Sequence, residues 1–310
     1  MNPLARVQIS CFLLSYAIAL AIEVVRFLRG ASGTTRIVSL LFCAAGFVAH
    51  TAYLVTRSKT LGLPPLLASQ QDWLLVLAWM GVFVYLILML VPTQRAHGIF
   101  MLPAVLLLVV VALFVSSRSG GNLVAVAMKR WGMFHAASLV LGMAAVLGSA
   151  ISGLMYLLNH QRLRNRSTWL KRLELPNLED LSAINRWMVV FSVPCLTIGL
   201  LTGFLLIAWS PKTAGSVSWT DPTIVTSVIV WMAMVVVLIR ILAASHQTGK
   251  SVAMLSLLSG GFLLVTILGP MVLAGSGNLE TFHGRASEAS PQDNRSAPTG
   301  KADFVKESTP

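Results

Sequence analysis

The chain alternates long apolar segments with shorter polar ones. The hydrocarbon core of a membrane, about 30 Å thick, is crossed by about 20 apolar residues in a helix. Segments of this kind lie at residues 7–28, 37–56, 73–91, 99–116, 133–158, 187–209, 223–243 and 252–274. The fourth is the shortest of them and contains Pro103. The pattern predicts an all-α fold, a polytopic membrane helix bundle with about eight transmembrane helices.

The longest polar interruption lies between the fifth and sixth apolar segments, at residues 160–186. Its sequence is HQRLRNRSTWLKRLELPNLEDLSAINR, with basic residues at Arg162, Arg164, Arg166, Lys171 and Arg172. Short loops rich in Lys and Arg remain on the cytoplasmic side of a membrane. With this loop inside, twelve basic residues lie inside and seven outside, apart from the C-terminal tail. We therefore predict a multi-pass protein of a bacterial-type cytoplasmic (inner) membrane with both termini outside.

Composition supports the membrane assignment. Apolar residues make up 56% of the chain and charged residues 11%, against about 25% charged residues in soluble domains. The mean hydropathy is +0.78. The net charge of +12 does not indicate nucleic acid, because most basic residues flank apolar segments and face the lipid bilayer. The three cysteines form no CxxC pair, which disfavours a thiol–disulfide oxidoreductase, and without a CxxCH motif the chain is not itself a c-type cytochrome.

Two regions follow from these patterns. Residues 1–275 are predicted to form one eight-helix membrane domain. Residues 276–310 are rich in Ser, Gly, Pro and charge, which predicts a disordered tail. Small residues at four-residue spacing, such as Gly199 and Gly203, indicate close helix packing. The sequence shows no internal repeat.

The predicted orientation sorts the histidines by depth. His135 and His283 fall outside, at the outer ends of the fifth and eighth segments, and His50 falls in the outer half of the second. A histidine at lipid depth is costly and is often functional. His97 and His160 are interpreted as solvated loop residues.

The tryptophans allow two interpretations. Trp131 and Trp219 lie at or beyond the outer interface, where an aromatic belt is the ordinary explanation. The alternative is an aromatic platform beside outward histidines, since imidazole ligates haem iron and aromatic rings pack on a porphyrin.

The run from Leu175 to Trp209 contains the patterns LP-x-LE-x-L and LT-x-G-L-x-x-G. With the preceding segment and basic loop, and with HTAYL from His50 and GLPPL from Gly62 upstream, it resembles the cytochrome c assembly family of CcsA/CcmC/HemX-like membrane proteins. The resemblance covers roughly residues 35–275 and is best over 131–275.

This resemblance implies haem handling on the outer face of the membrane. Members of the family carry an external tryptophan-rich segment with WD-P at its core, flanked by two outward histidines. Trp219, Asp221 and Pro222 match part of that segment, although Thr220 stands where the family usually has tryptophan. His135 falls at the first histidine position and His283 near the second.

The haem site implied in this way uses His135 and His283 as iron ligands beside Trp219 and Asp221, with His50 as an intramembrane ligand. Arg118, Lys129 and Arg130 are the candidates for pairing with the haem propionates. The implied partner is apocytochrome c or a partner assembly protein, and the chain is then an assembly factor rather than an enzyme.

Two alternatives remain open. One is a HemX-like regulatory or scaffolding membrane protein without haem transfer. The other is a small-solute transporter, which rests on intramembrane His50 and Glu23, and Glu23 has Arg26 as a neighbour with which to pair.

Overall fold

A computed structural model describes residues 8–29, 33–62, 64–90, 97–115, 125–165, 175–209, 222–243 and 249–275. Its ordered elements are all helices, as the sequence predicts. Eight long helices and one short one follow in chain order: α1 (Ile9–Arg29), α2 (Gly33–Leu61), α3 (Pro65–Ala68), α4 (Gln70–Leu90), α5 (Gly98–Phe114), α6 (Ala125–Asn165), α7 (Leu178–Trp209), α8 (Pro222–Ala243) and α9 (Gly249–Gly275).

The long helices form a polytopic membrane bundle. Within the described ranges, α1, α2, α4, α6 and α7 are each long and apolar enough to cross a membrane, and α5, α8 and α9 contain shorter apolar helices. Large apolar side chains cover the outer surface, among them Leu14, Leu41, Phe114 and Leu258. An exposed apolar surface of this extent suits lipid rather than water. The prediction of a helical membrane bundle is confirmed.

The loop predicted at residues 160–186 is shorter than expected. Helix α6 continues to Asn165 and α7 begins at Leu178, because Gln and Arg are good helix formers and extend the helix past the apolar run. The start of α7 is capped by Asn177, whose side-chain oxygen accepts the backbone N–H of Asp180 at 2.6 Å. Hydropathy therefore locates the membrane edge and not the helix ends.

The helices pack as two rings of four. In the first ring α1 contacts α2 and α5, and α4 contacts the same two helices; in the second, α6 contacts α7 and α9, and α8 contacts the same two helices. A matching hydrogen bond occurs in each ring. The indole of Trp79 donates to the Thr51 hydroxyl at 2.8 Å, and that of Trp231 donates to Thr197 at 2.8 Å. The packing order thus repeats where the sequence shows no repeat, an arrangement known from membrane proteins with parallel repeats.

Residues 276–310, predicted as a disordered tail, lie outside the described residues. The predicted fourth span is present as α5, and Pro103 lies inside that helix. In a helix bundle, neighbouring helices compensate for the hydrogen bond that a proline removes.

Candidate functional site

His135 lies on α6 with its ring against α7. Its Nδ1–H donates to the carbonyl oxygen of Gly199 at 2.7 Å, and the Thr202 hydroxyl lies 3.4 Å from the same nitrogen. That hydroxyl also donates to the Gly199 carbonyl at 2.9 Å. A neutral imidazole that donates through Nδ1 carries its lone pair on Nε2. The contact with α7 therefore fixes the tautomer in which a metal would be bound through Nε2.

Glycines on α7 make room for this ring. A Cβ atom at position 203 would lie 2.7 Å from Cε1 of His135 and 3.2 Å from its Nδ1. Atoms do not approach so closely, so the absence of a side chain at Gly203 allows the imidazole to lie flat against α7. The LT-x-G-L-x-x-G pattern thus serves the histidine as well as helix packing.

The outer end of α6 also presents aromatic surface. Trp131 precedes His135 by four residues, which places both on one face of the helix. The Trp131 and Phe134 side chains are both about half exposed. Lys129 and Arg130, two of the predicted propionate partners, belong to the same helix. Their backbones lie within two turns of His135. His283, Trp219, Asp221 and Arg118 lie outside the described residues.

His50 lies in α2 and is fully buried. Its ring stacks on Phe12 of α1 with centroids 4.1 Å apart and planes 3° apart. Nδ1 lies 3.3 Å from the Tyr16 hydroxyl, and Nε2 has no hydrogen-bond partner. A buried polar atom without a partner is costly and calls for an explanation. Two histidines, one in each ring of helices, are therefore held at Nδ1 by an adjacent helix.

The interpretation of His97 as a solvated loop residue is wrong, and that of His160 needs correction. His97 is almost completely buried at the start of α5, because Gly98 beside it lets α5 approach the Glu23 and Tyr85 side chains closely. His160 belongs to α6 and is half-buried, with its ring stacked at 6.4 Å on that of Tyr156.

Glu23 is the centre of a buried polar network. Arg26 donates to both carboxylate oxygens at 2.7 and 2.8 Å, and Ser39 of α2 donates at 2.8 Å. The Tyr85 hydroxyl of α4 lies 3.4 Å away. The predicted pairing of Glu23 with Arg26 is confirmed. The Glu23 carboxylate accepts hydrogen bonds from residues of α1, α2 and α4. These bonds join three of the four helices of the first ring, which indicates a structural role.

The family model for the cytochrome c assembly protein matches residues 67–272, which is more than half of the chain. The chain belongs to the cytochrome c assembly protein family. The match includes α4 to α8 and most of α9, and therefore His135 with the whole of its Gly199 and Thr202 environment. Comparison with curated proteins and with solved structures gives no match.

Membership of the cytochrome c assembly family gives this membrane protein a role in cytochrome c biogenesis, among the partners of cytochrome c maturation. In the described part of the chain, His, Cys, Asp and Glu side chains form no group of three that would hold a bare metal ion. Haem iron needs only axial ligands, because the porphyrin supplies the other four. The chemistry of two rings suits such a ligand: His135, whose Nδ1 is hydrogen-bonded to a carbonyl, and His50, whose Nε2 has no partner.

Sequence reasoning missed the partners of both histidines. Gly199 was interpreted as a packing residue alone, and Tyr16 and Thr202 were not singled out. One signal was available. Gly199 and Gly203 lie one turn apart in the same motif, and small residues on one helix face indicate that something bulky on the next helix is accommodated there.

Proposed function

We propose that this protein binds haem near the outer face of the membrane during cytochrome c biogenesis, with His135 as an axial ligand. The single observation that carries the proposal is the 2.7 Å hydrogen bond from His135 Nδ1 to the Gly199 carbonyl. Histidine ligands of metals commonly donate their other ring N–H to a carbonyl or carboxylate, which orients the ring and raises its basicity.

Haem held at this site would be the group to which the thiols of apocytochrome c become covalently attached. The residues of this chain have simpler tasks. The Gly199 carbonyl accepts a hydrogen bond from His135 Nδ1–H, and Gly203 leaves space for the ring. The Thr202 hydroxyl is shared between the carbonyls of Ile198 and Gly199, at 2.7 and 2.9 Å. Trp131, on the same helix face, offers an aromatic surface for a porphyrin plane.

The rest of the proposed site comes from the family resemblance. His283 is the second axial ligand, beside Trp219 and Asp221, and Arg118, Lys129 and Arg130 pair with the propionates. The site is outward if the basic loop after α6 is cytoplasmic, with both termini outside a bacterial-type cytoplasmic membrane. The membrane domain then comprises residues 1–275, and the partner is apocytochrome c or an assembly protein that delivers it.

His50 is proposed as an intramembrane ligand that becomes accessible when α1 moves. Its imidazole is stacked face to face with Phe12, so haem at this position requires the Phe12 ring to turn away. The same sealed packing favours the second candidate function, a HemX-like scaffold or regulator that retains the helices without binding haem.

The visible spectrum of the purified protein tests the proposal. After expression with ample haem, the wild type is expected to show a Soret band. His135→Ala is expected to reduce that band more than His283→Ala, because the composition around His283 predicts disorder, and ordering such a segment would have an entropic cost. Added imidazole should restore part of the absorbance to His135→Ala by filling the vacated ligand position.

Thr197→Val is the control, since it removes the hydroxyl that accepts the Trp231 N–H on the side of α7 that faces α8, whereas His135 contacts α7 at Gly199 and Gly203. It should leave the Soret band unchanged. A wild-type protein without a Soret band contradicts haem binding and favours the scaffold. A band that survives His135→Ala contradicts His135 as the axial ligand.

A further inference from the structure

A cavity of about 390 Å³ lies where the end of α6 meets the beginning of α9. It is lined by Leu157, His160, Gln161 and Arg164 of α6 and by Lys250 of α9. Its volume falls within the range of about 300–1,000 Å³ that is usual for small-molecule sites. The cavity is at the opposite end of α6 from His135 and is independent of the proposed haem site.

The charged residues that line the cavity, Arg164 and Lys250, are both basic. His160 and Arg164 are four residues apart and share one face of α6, and Lys250 reaches the cavity from α9. None of the described residues that line it carries a carboxylate. Where the structure describes the chain, Arg164 and Lys250 have no ion-pair partner, since the ion pairs found there are Glu23 with Arg26 and Asp72 with Arg57. Convergent cations of this kind repel one another unless an anion joins them.

The walls of the cavity are held in place by packing. Tyr156 stacks on His160 with their planes 8° apart, and Gly249 lies so close to the Tyr156 ring that a Cβ there would be 2.7 Å from the hydroxyl. This contact joins the start of α9 to α6 beside the cavity. The backbone positions from which Arg164 and Lys250 project are thereby held close to each other.

The position of the cavity along the membrane normal indicates which ligand it suits. The apolar run of α6 ends at Leu158, directly after Leu157, and the amide and basic side chains begin at Asn159 and His160. The cavity therefore spans the boundary between acyl chains and headgroups, with an apolar wall on one side and cations on the other. Basic pockets between transmembrane helices on the cytoplasmic side bind the headgroups of anionic lipids.

We propose that this cavity binds the phosphate headgroup of an anionic phospholipid, with Arg164 and Lys250 as the phosphate-binding residues. The Arg164 guanidinium presents paired N–H donors that suit phosphate oxygens, and the Lys250 ammonium acts as a point charge beside it. The Gln161 amide adds a neutral donor, and Leu157 contacts the first carbons of the acyl chains.

The test uses the full-length protein in nanodiscs of phosphatidylcholine, alone or with one fifth cardiolipin or phosphatidylglycerol. Bound lipid is measured by native mass spectrometry and thermal stability by the unfolding midpoint. We expect anionic lipid to raise the midpoint of the wild type. Arg164→Gln with Lys250→Gln should weaken anionic lipid binding about 30-fold, since each basic residue near an anionic surface contributes about fivefold.

The control is Arg186→Gln with Arg240→Gln, which removes the same charge from two exposed positions that do not line the cavity. Equal loss of lipid in both double variants overturns the site, because it would reflect general surface charge. Inorganic phosphate is added to the phosphatidylcholine nanodiscs as a second arm. A midpoint shift by phosphate as large as that by anionic lipid contradicts a lipid headgroup and identifies a free anion as the ligand.

Discussion

The Nδ1 atom of His135 lies 2.7 Å from the carbonyl oxygen of Gly199, across the contact between α6 and α7. This carbonyl belongs to the helix backbone and also accepts the Thr202 hydroxyl. A backbone acceptor does not change rotamer, so it fixes the imidazole more firmly than a surface side chain would. The histidine is thus presented with one nitrogen committed to the protein and the other chemically suited to a metal.

A side chain at position 203 should displace this imidazole. In Gly203→Val the new Cβ would lie 2.7 Å from His135 Cε1, so the ring must turn away from the Gly199 carbonyl. We expect the haem Soret band per protein to fall as far as in His135→Ala while helicity by circular dichroism is retained. Gly261→Val is the matched control, because nothing lies within 4 Å of that position. A normal Soret band in Gly203→Val would contradict the positioning role of the α6–α7 contact.

Breaking the Glu23–Arg26 pair should destabilise the first ring of helices. Glu23→Leu leaves the buried Arg26 guanidinium without its carboxylate, and removal of one partner from a buried ion pair costs about 3–5 kcal/mol. Leucine at both positions removes both charges and should recover much of that loss. The measurement is the unfolding midpoint in detergent for the two single variants and the double variant. If the double variant is no more stable than Glu23→Leu, the pair is not the reason for the loss.

The sequence was sufficient for the helices but not for their contacts. Length and hydropathy identified all eight long helices, and the proximity of Glu23 to Arg26 predicted their pairing. His50 and Tyr16, by contrast, are 34 residues apart, and His135 and Gly199 are 64 apart. Most helices are apolar on every side, so no polar face indicates how each is rotated. The partners of the histidines therefore depend on packing that periodicity does not reveal.

The burial of His97 is a second feature that the local sequence does not reveal. Its neighbours in sequence, Arg95 and Gly98, are typical of a loop, and nothing local marks the residue as buried. The close approach of α5 to α1 at Gly98 is a tertiary effect. Likewise, the packing order shared by the two rings is visible in three dimensions without a repeated sequence.

The orientation of the bundle is tested by accessibility labelling. Single cysteines are placed at Asn165 and Ser216 in a background in which Cys11, Cys43 and Cys195 are alanine. The charge distribution predicts that an impermeant maleimide labels Ser216 in intact cells and labels Asn165 only after the membrane is opened. Labelling of Asn165 from outside would place the basic loop, and with it the proposed lipid cavity, on the outer side.

Removal of the chain from Ser287 onward should leave membrane insertion and folding intact. That stretch contains few apolar residues and has little apolar surface to bury against the bundle. The truncation retains His283, so the Soret band is expected to persist as well. Size-exclusion chromatography in detergent measures folding. A truncated protein that aggregates would indicate that the tail packs on the membrane domain.

The last prediction concerns two adjacent glycines in α9 that differ only in what they face. A Cβ at position 260 would overlap the Cβ of Ala150 on α6, whereas a Cβ at 261 meets nothing within 4 Å. Gly260→Ala should therefore force α6 and α9 apart at a cost of about 1–3 kcal/mol, the usual cost of overpacking. Gly261→Ala should be neutral or slightly stabilising, since alanine favours helix over glycine by about 1 kcal/mol.

The unfolding midpoint in detergent distinguishes the two, and a compensating change identifies the cause. Adding Ala150→Gly to Gly260→Ala removes the atom with which the new Cβ overlaps, so the double variant should regain most of the lost stability. If Gly260→Ala and Gly261→Ala have the same unfolding midpoint, α6 and α9 are not in close contact at Gly260. The second ring would then be joined mainly through α6 with α7, the same pair that holds His135.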